Sequence, residues 1–364
     1  MPEPDRGSSR NRYVIVDDFL PARSAEALAT MTADASDWRL HEGSFFSQND
    51  MAFVRREPSG RRTGDLTSDV LSFLKAGKSA MEESFQAIIG GHFTVVGHKM
   101  SPGQIVGIHT DSPVGDRGRT ENFRLVYYVD REFRDEHGGH LLLFASRDAD
   151  ALLDAVRPNF NSAVLMELSE SSFHAVAPIR AGVRHSLVAS YWGYPLSPFP
   201  ASVHGRVSAV IRTLIEKGYE DLGHSGTTFL YHLYNTGEIL ARLGQEGDVC
   251  LAGLCHSLMG RKGVELGAIS LGVDELESLV GSRAMSLVRR MSSPVDFRTV
   301  PADAAPEVIA QGIVEIANEL EQAESEQDLD GLEEGIHGAA VLSEGLRDLM
   351  LREVAVSREA IRSH

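Results

Sequence analysis

The tripeptide His109-Thr110-Asp111 and the distant His174 are the residues of this 364-residue chain best suited to chemistry. Successive side chains of a strand point to opposite faces, so residues i and i+2 share one. His109 and Asp111 therefore project together if they lie on a strand, and a histidine from a second strand completes three donors. Two imidazoles and one carboxylate on one face of a divalent metal leave its other positions open. A non-haem Fe(II) oxygenase site needs that arrangement, because it must also hold a co-substrate and O2. Ten residues after His174 comes Arg184, followed by His185 and Ser186. On a strand Arg184 and Ser186 also share a face, and a guanidinium beside a hydroxyl is a suitable clamp for a remote carboxylate.

An H-x-D tripeptide alone is a weak signal, so the elements around it matter. His109 ends the apolar run Gln104-Ile105-Val106-Gly107-Ile108, and His174 opens a strand-like run after the turn-rich Ser169-Glu170-Ser171-Ser172. Further β-rich runs fall at 13–16, 93–100, 124–129, 140–144, 163–168 and 185–192. Helices are predicted from Pro21 to about 33 and from Asp65 to about 89. Closely spaced short strands predict a sandwich or barrel with helices packed outside. The segment Tyr194-Pro195-Leu196-Ser197-Pro198-Phe199-Pro200 holds three prolines in seven residues and reads as a domain boundary. Beyond it the apolar residues recur at helical spacing, as in Val207, Val210, Ile211, Leu214 and Ile215.

Composition bounds the function. The net charge is −17, and residues 1–200 carry 21 basic and 26 acidic side chains. The excess acid therefore lies mostly beyond residue 200, where the run 319–334 reads as a solvated helix face. An acidic surface argues against a nucleic-acid partner. No stretch is long and apolar enough to span a membrane, and the polar N-terminus does not read as a secretory signal. Cys250 and Cys255 lie in an apolar run and read as buried thiols of a reducing compartment. A cytoplasmic protein is the expectation.

Five blocks, in order, resemble the prolyl-4-hydroxylase-like branch of the Fe(II)/2-oxoglutarate-dependent dioxygenases. They are Ser101-Pro102-Gly103-Gln104 ahead of His109-Thr110-Asp111; Arg124-Leu125-Val126-Tyr127-Tyr128-Val129; Gly138-Gly139-His140-Leu141; His174-Ala175-Val176-Ala177-Pro178-Ile179; and Gly182-Val183-Arg184-His185-Ser186-Leu187. The resemblance covers about residues 13–195. It implies a double-stranded β-helix (jelly roll, cupin-like) with flanking helices. It also implies Fe(II) on His109, Asp111 and His174, and 2-oxoglutarate and O2 as co-substrates. The 2-oxoglutarate C5 carboxylate would lie on Arg184, with Ser186 as hydrogen-bond donor. The implied reaction is hydroxylation with release of succinate and CO2, and Asp111 favours it over halogenation, which uses a small residue at that place. One departure is that Lys99-Met100 stands where the branch often has a tyrosine before its Pro-Gly turn.

His98, Arg124 and Trp192 are candidate substrate contacts. His185 reads as structural, and Phe45-Phe46-Ser47-Gln48-Asn49-Asp50, with Arg55 and Arg56 beyond, as a loop that either covers the substrate or is an ordinary surface loop. The C-terminal part holds His224, His232 and His256 as a candidate second site, with Asn318 and Glu319 as candidate polar partners. This set weakly resembles the all-helical HD superfamily, although Ser257 stands where a ligand aspartate is expected. A hydroxyl is a poor ligand beside a carboxylate and cannot bridge two metals, so the resemblance is to a degenerate, accessory form.

The overall expectation is an α+β protein: a flexible 1–12, a dioxygenase domain at 13–198 and a helical HD-like domain at 199–364. Its partners would be a small-molecule, amino-acid or peptide substrate, and a second copy through the C-terminal helices. The alternatives are an HD-like phosphohydrolase or binding activity in the C-terminal part, and a non-catalytic 2-oxoglutarate or metal sensor.

Overall fold

The computed structural model describes residues 11–64, 66–111, 121–224, 227–259, 271–293 and 295–362. The chain forms two compact units that follow one another at Gly193 and Tyr194. No helix among the described residues is long and apolar enough to cross a membrane.

The N-terminal unit contains β1 (Arg12–Val16), α1 (Ala22–Ala33), β2 (Arg39–Glu42), β3 (Ser47–Arg56), β4 (Arg62–Thr63), α2 (Ser68–Phe85) and β5 (Ala87–Met100). Then come β6 (Val106–His109), β7 (Phe123–Tyr128), β8 (Leu141–Phe144), β9 (Leu152–Val156), β10 (Ala163–Glu167), β11 (His174–Val176) and β12 (Arg184–Pro195). The larger sheet runs β1-β10-β7-β12-β5-β3-β2 with β4 beside β3, and the smaller runs β6-β11-β8-β9. This is a jelly-roll-like arrangement, and the C-terminal unit is helical, as the sequence predicts.

Period-two alternation gives each strand of the larger sheet two jobs. On β7, Leu125 and Tyr127 join Leu28, Phe73, Met81 and Phe85 of the helices in one core. Val126 and Tyr128, one residue out of phase, join Leu141, Leu143, Val164 and Val188 in a second core. Strands buried on both faces read as near-continuous apolar runs, which is why β7 and β12 were legible. Each fully buried large apolar side chain contributes about 1.5–3 kcal/mol. Asn161 holds the entry to α1: its side chain bonds Leu20 N at 3.0 Å, Leu20 O at 2.9 Å and the Tyr127 hydroxyl at 2.9 Å.

Three expectations need correction. Asn11 is buried and Arg12 already belongs to β1, so the flexible 1–12 does not extend to these two residues; residues 1–10 lie outside the described ones. The helix expected to about residue 89 ends at Phe85, because Gln86 adopts a left-handed φ of 51° and Ala87 starts β5. The start expected at Asp65 falls outside the described residues, and the helix begins at Ser68 behind the Thr67 cap. Of the stretch 45–50 expected as a loop, with Arg55 and Arg56 beyond, everything from Ser47 on belongs to β3, which pairs with β5 from Asn49↔Lys99 to Arg56↔Phe93.

The C-terminal unit comprises α3 (His204–Glu216), the ladder of β13 (Gly223–His224) with β14 (Thr227–Thr228), α4 (Phe229–Arg242) and α5 (Gly247–Cys255). It continues with α6 (Val273–Val280), α7 (Ser282–Arg290), α8 (Pro306–Gln322), α9 (Glu326–Gly338) and α10 (Glu344–Arg362). Thr228 caps α4 by accepting from Tyr231 N, which satisfies one of the helix's orphan donors. Gly237 and Gly253 let α4 and α5 approach closely: a Cβ on Gly253 would strike Leu240 Cδ1. The acidic run lies mostly on solvated faces, with Glu326 paired to Arg362 and Glu333 to Arg358. Glu321 departs from that pattern and is buried.

Candidate active site

β6 ends at His109 and β11 begins at His174, and the register sets the two directly opposite. Their rings lie 4.3 Å apart. His109 Nε2 is 3.5 Å from Asp111 Oδ1, and His174 Nε2 is 3.2 Å from Asp111 Oδ2. One donor atom from each of the three lies within 4.8 Å of the others. His109 Nδ1 faces Gly107 O at 2.9 Å and His174 Nδ1 faces Ser172 O at 3.0 Å. A carbonyl only accepts, so each Nδ1 carries a proton, and Nε2 is the nitrogen that each ring turns toward Asp111 and offers to a metal once it gives up its own proton. Thr110, between the two ligands, points the other way and donates to Ser169 O at 2.8 Å, pinning the serine-rich turn that leads into His174.

Burial pushes the Asp111 carboxyl up, but the Arg124 guanidinium and hydrogen bonds from His109 and His174 outweigh it and hold it well below the usual range. Burial lowers His109, yet its hydrogen bond to Asp111 and that carboxylate's charge raise it overall. Two inward imidazoles around an ionised carboxylate are a donor set that fits Fe(II), with one face left open.

Arg184 is 5% exposed and makes no ion pair among the described residues. Nη1 has only Ser186 Oγ at 3.4 Å and Met100 Sδ at 3.8 Å, and Nε has no hydrogen-bond partner. Its Cζ lies 5.1 Å from the Tyr128 ring centroid. A buried charge without a counter-ion is costly, and a carboxylate entering the cavity supplies one. The cavity of about 250 Å³ is lined by the triad, Arg184 and Ser186, and by Gln48, Thr94, His98, Glu121 and Arg124. The residues thus fit Fe(II) and a dicarboxylate in one pocket.

Gly139 explains part of the Gly-Gly turn. Its φ is +74°, and a Cβ there would sit 2.5 Å from Ile179 Cδ1 and 2.9 Å from Arg184 Cδ. Gly139→Ala is expected to cost about 1–2 kcal/mol for the left-handed backbone alone, lowering Tm by roughly 2–8 °C. It should also raise the 2-oxoglutarate requirement by displacing Arg184. Thermal melts and a co-substrate titration check both, and an unchanged melt contradicts the steric argument.

The other sequence candidates divide. His98 lines the cavity, and its pKa is pushed down to about 3 by loss of water and by the charges of Arg184 and Arg124. Arg124 lines the cavity too, paired with Asp111 and with Glu121 Oε1 at 2.8 Å. Trp192 does not line the cavity. It shares the face of Ser186, Val188 and Ser190 but lies about 6.6 Å beyond Ser190, 4% exposed and beside His92. His185 turns away and bonds Asp130 Oδ1 at 2.8 Å. Met100, at the departure from the branch, is fully buried and fills space under Arg184.

Thr94 and Tyr128 were missed; Gln48, which lines the cavity with Thr94, lies in the stretch expected as a loop, and Tyr128 does not line the cavity but packs its ring beside Arg184. Tyr128 had a signal: it follows Arg124 and Val126 at i+2 spacing and stands opposite Ser186 in the register. In the C-terminal unit the structure brings together His224, His232 and His256. Asn318 and Glu319 are not part of that cluster. Asn318 accepts from Gln322, and Glu319 pairs with Arg298 near the surface. The nearby acid is Glu321, one helical turn beyond Ala317 on the buried face.

Comparison with known proteins divides the chain similarly. Residues 95–192 match the 2OG-Fe(II) oxygenase superfamily, and residues 213–293 match a domain of unknown function, DUF6817. A search of curated proteins finds no significant match. Among solved structures, the chain is similar to a Pseudomonas putida prolyl-4-hydroxylase at 20% identity and TM-score 0.41, covering 50% of this chain and 92% of that one. It is also similar to a Trichoplax adhaerens prolyl hydroxylase solved with a hypoxia inducible factor peptide fragment, at 15% identity and TM-score 0.40, covering 50% and 83%. A third is the viral collagen prolyl hydroxylase of Paramecium Bursaria Chlorella virus-1, at 14% identity and TM-score 0.38, covering 50% and 95%. The co-substrates of this superfamily are 2-oxoglutarate and O2, used with Fe(II), and residues 95–192 carry a 2OG-Fe(II) oxygenase domain.

Proposed function

We propose that the N-terminal unit hydroxylates an unactivated C–H bond of a small molecule, amino acid or peptidyl residue, releasing succinate and CO2. The observation that carries this reading is the buried Arg184 without a counter-ion, in the same cavity as His109, Asp111 and His174. In it, His109, Asp111 and His174 hold Fe(II), and Arg184, Ser186 and the Tyr128 hydroxyl receive the C5 carboxylate. Fe(II), 2-oxoglutarate and O2 together supply the oxidant for C–H cleavage.

The chain's own residues do the rest. The carbonyls of Gly107 and Ser172 fix the ring orientations of the two imidazoles. Val106, Val126, Leu141, Val176 and Val188 make the wall apolar and keep water from the co-substrate. Gln48, Thr94, His98 and Arg124 are the polar groups offered to the substrate. Two buried free cysteines support a reducing, cytoplasmic setting.

The test is an aerobic screen of metabolites and peptides with Fe(II) and 2-oxoglutarate. The expected result is stoichiometric succinate and a product heavier by one oxygen. Co-substrate binding without turnover on any candidate would favour a sensor instead.

A further inference from the structure

Inside the C-terminal unit, α4 and the C-cap of α5 bring two imidazoles together edge-on, their planes 70° apart. His232 Nε2 lies 3.2 Å from His256 Nε2, and the residues are 1% and 9% exposed. Behind His232, Nδ1 lies 2.5 Å from Glu321 Oε2 of α8. Behind His256, Nδ1 lies 2.7 Å from Gly253 O. A carbonyl only accepts, so His256 carries a proton on Nδ1 and turns its Nε2 lone pair on His232. The Glu321–His232 pair then has two choices. It holds one extra proton, which fills the gap between the two Nε2 atoms, or two lone pairs oppose each other across it. The first choice is an N–H···N hydrogen bond, and a metal ion can take the place of that proton.

The separation also suits a metal. Two nitrogens on a tetrahedral ion with bonds of 2.0–2.1 Å lie about 3.3–3.4 Å apart. The construction repeats that of His109 and His174: Nδ1 on a backbone acceptor or carboxylate, Nε2 turned inward. A carboxylate behind a ligating histidine fixes its tautomer and raises its basicity.

We propose that His232 and His256 bind one late first-row divalent cation of the Zn(II) or Ni(II) class, with Glu321 as the outer carboxylate. Nitrogen donors prefer these ions to Mg(II), Ca(II) or Mn(II). His224 packs its ring 4.3 Å from that of His232. The site differs from what the HD resemblance implies. Ser257 offers no carboxylate, and Glu321 stands behind a ligand, so the site takes a single ion on nitrogen.

The test uses the full chain with the oxygenase triad silenced by His109→Ala and His174→Ala. After Zn(II) loading and desalting, elemental analysis should find one equivalent. Co(II) should give the intense visible bands of a four-coordinate ion, and loading should raise Tm. Because the metal replaces the shared proton, titrations in buffers of different ionisation heat should show proton release. Adding His256→Gln should lower the affinity by at least roughly 100-fold, and Glu321→Gln by about 10–100-fold. No metal in the triad-silenced chain overturns the proposal, whatever the further variants do. So does full Zn(II) affinity in His256→Gln, or in Glu321→Gln if His256→Gln does not fold.

Discussion

Replacing His174 with alanine should weaken metal binding in the N-terminal unit by more than roughly 100-fold and abolish succinate formation. Loss of an outer-shell partner already costs about 10–100-fold in metal affinity, and His174 is one of only three donors. It also sits opposite His109 in the β6–β11 register, so its loss removes one side of the donor set. Anaerobic Mn(II) titration reads the effect selectively, because the Asp111-containing site accepts Mn(II) while a nitrogen-only site does so poorly. His174 is 6% exposed, so alanine leaves a cavity. Asp111→Asn keeps the volume and removes only the charge, and should also lose most of the affinity. Mn(II) affinity within a few-fold of the unaltered chain in both variants would remove these residues from the metal site.

What made this site readable was strand periodicity. His109 and Asp111, and Arg184 and Ser186, are i, i+2 pairs, and β12 puts the second pair on the cavity face together with Val188 and Ser190. The same rule would have given Tyr128, had it been applied to Arg124 and Val126. β3 was not legible for a different reason. Ser47-Gln48-Asn49-Asp50 is turn-like in composition, and its strand state comes from pairing with β5, a tertiary fact.

Glu321 was hidden by its neighbours, since a carboxylate inside the acidic run 319–334 reads as solvated. Its own helix held the contrary signal. Ile313, Ala317, Leu320 and Glu321 share the buried face of α8, and a carboxylate on an apolar stripe needs a partner. Pairing of His232 with that distant acid depends on packing of α4 against α8, which local sequence does not encode.

Arg184→Ala should raise the apparent KM for 2-oxoglutarate by roughly 30–1000-fold, the equivalent of about 2–4 kcal/mol for removing one partner of a buried charge pair. The size follows from the surroundings. Arg184 is 5% exposed, its Nε has no partner, and Ser186 and Tyr128 offer only neutral hydroxyls. Without the guanidinium, the C5 carboxylate enters the pocket with no opposite charge beside it and pays its desolvation uncompensated. Arg184→Lys should recover part of the loss, since an ammonium restores charge but not the planar fork that meets two carboxylate oxygens. Ser186→Ala should cost far less, about 0.5–1.5 kcal/mol for a neutral hydrogen bond. Mn(II) affinity measured without co-substrate should stay within a few-fold in all three variants, because Arg184 touches none of the three metal donors. A KM for 2-oxoglutarate that does not change in Arg184→Ala would move the carboxylate clamp elsewhere, with Arg124 and His98 among the other polar groups of the same cavity.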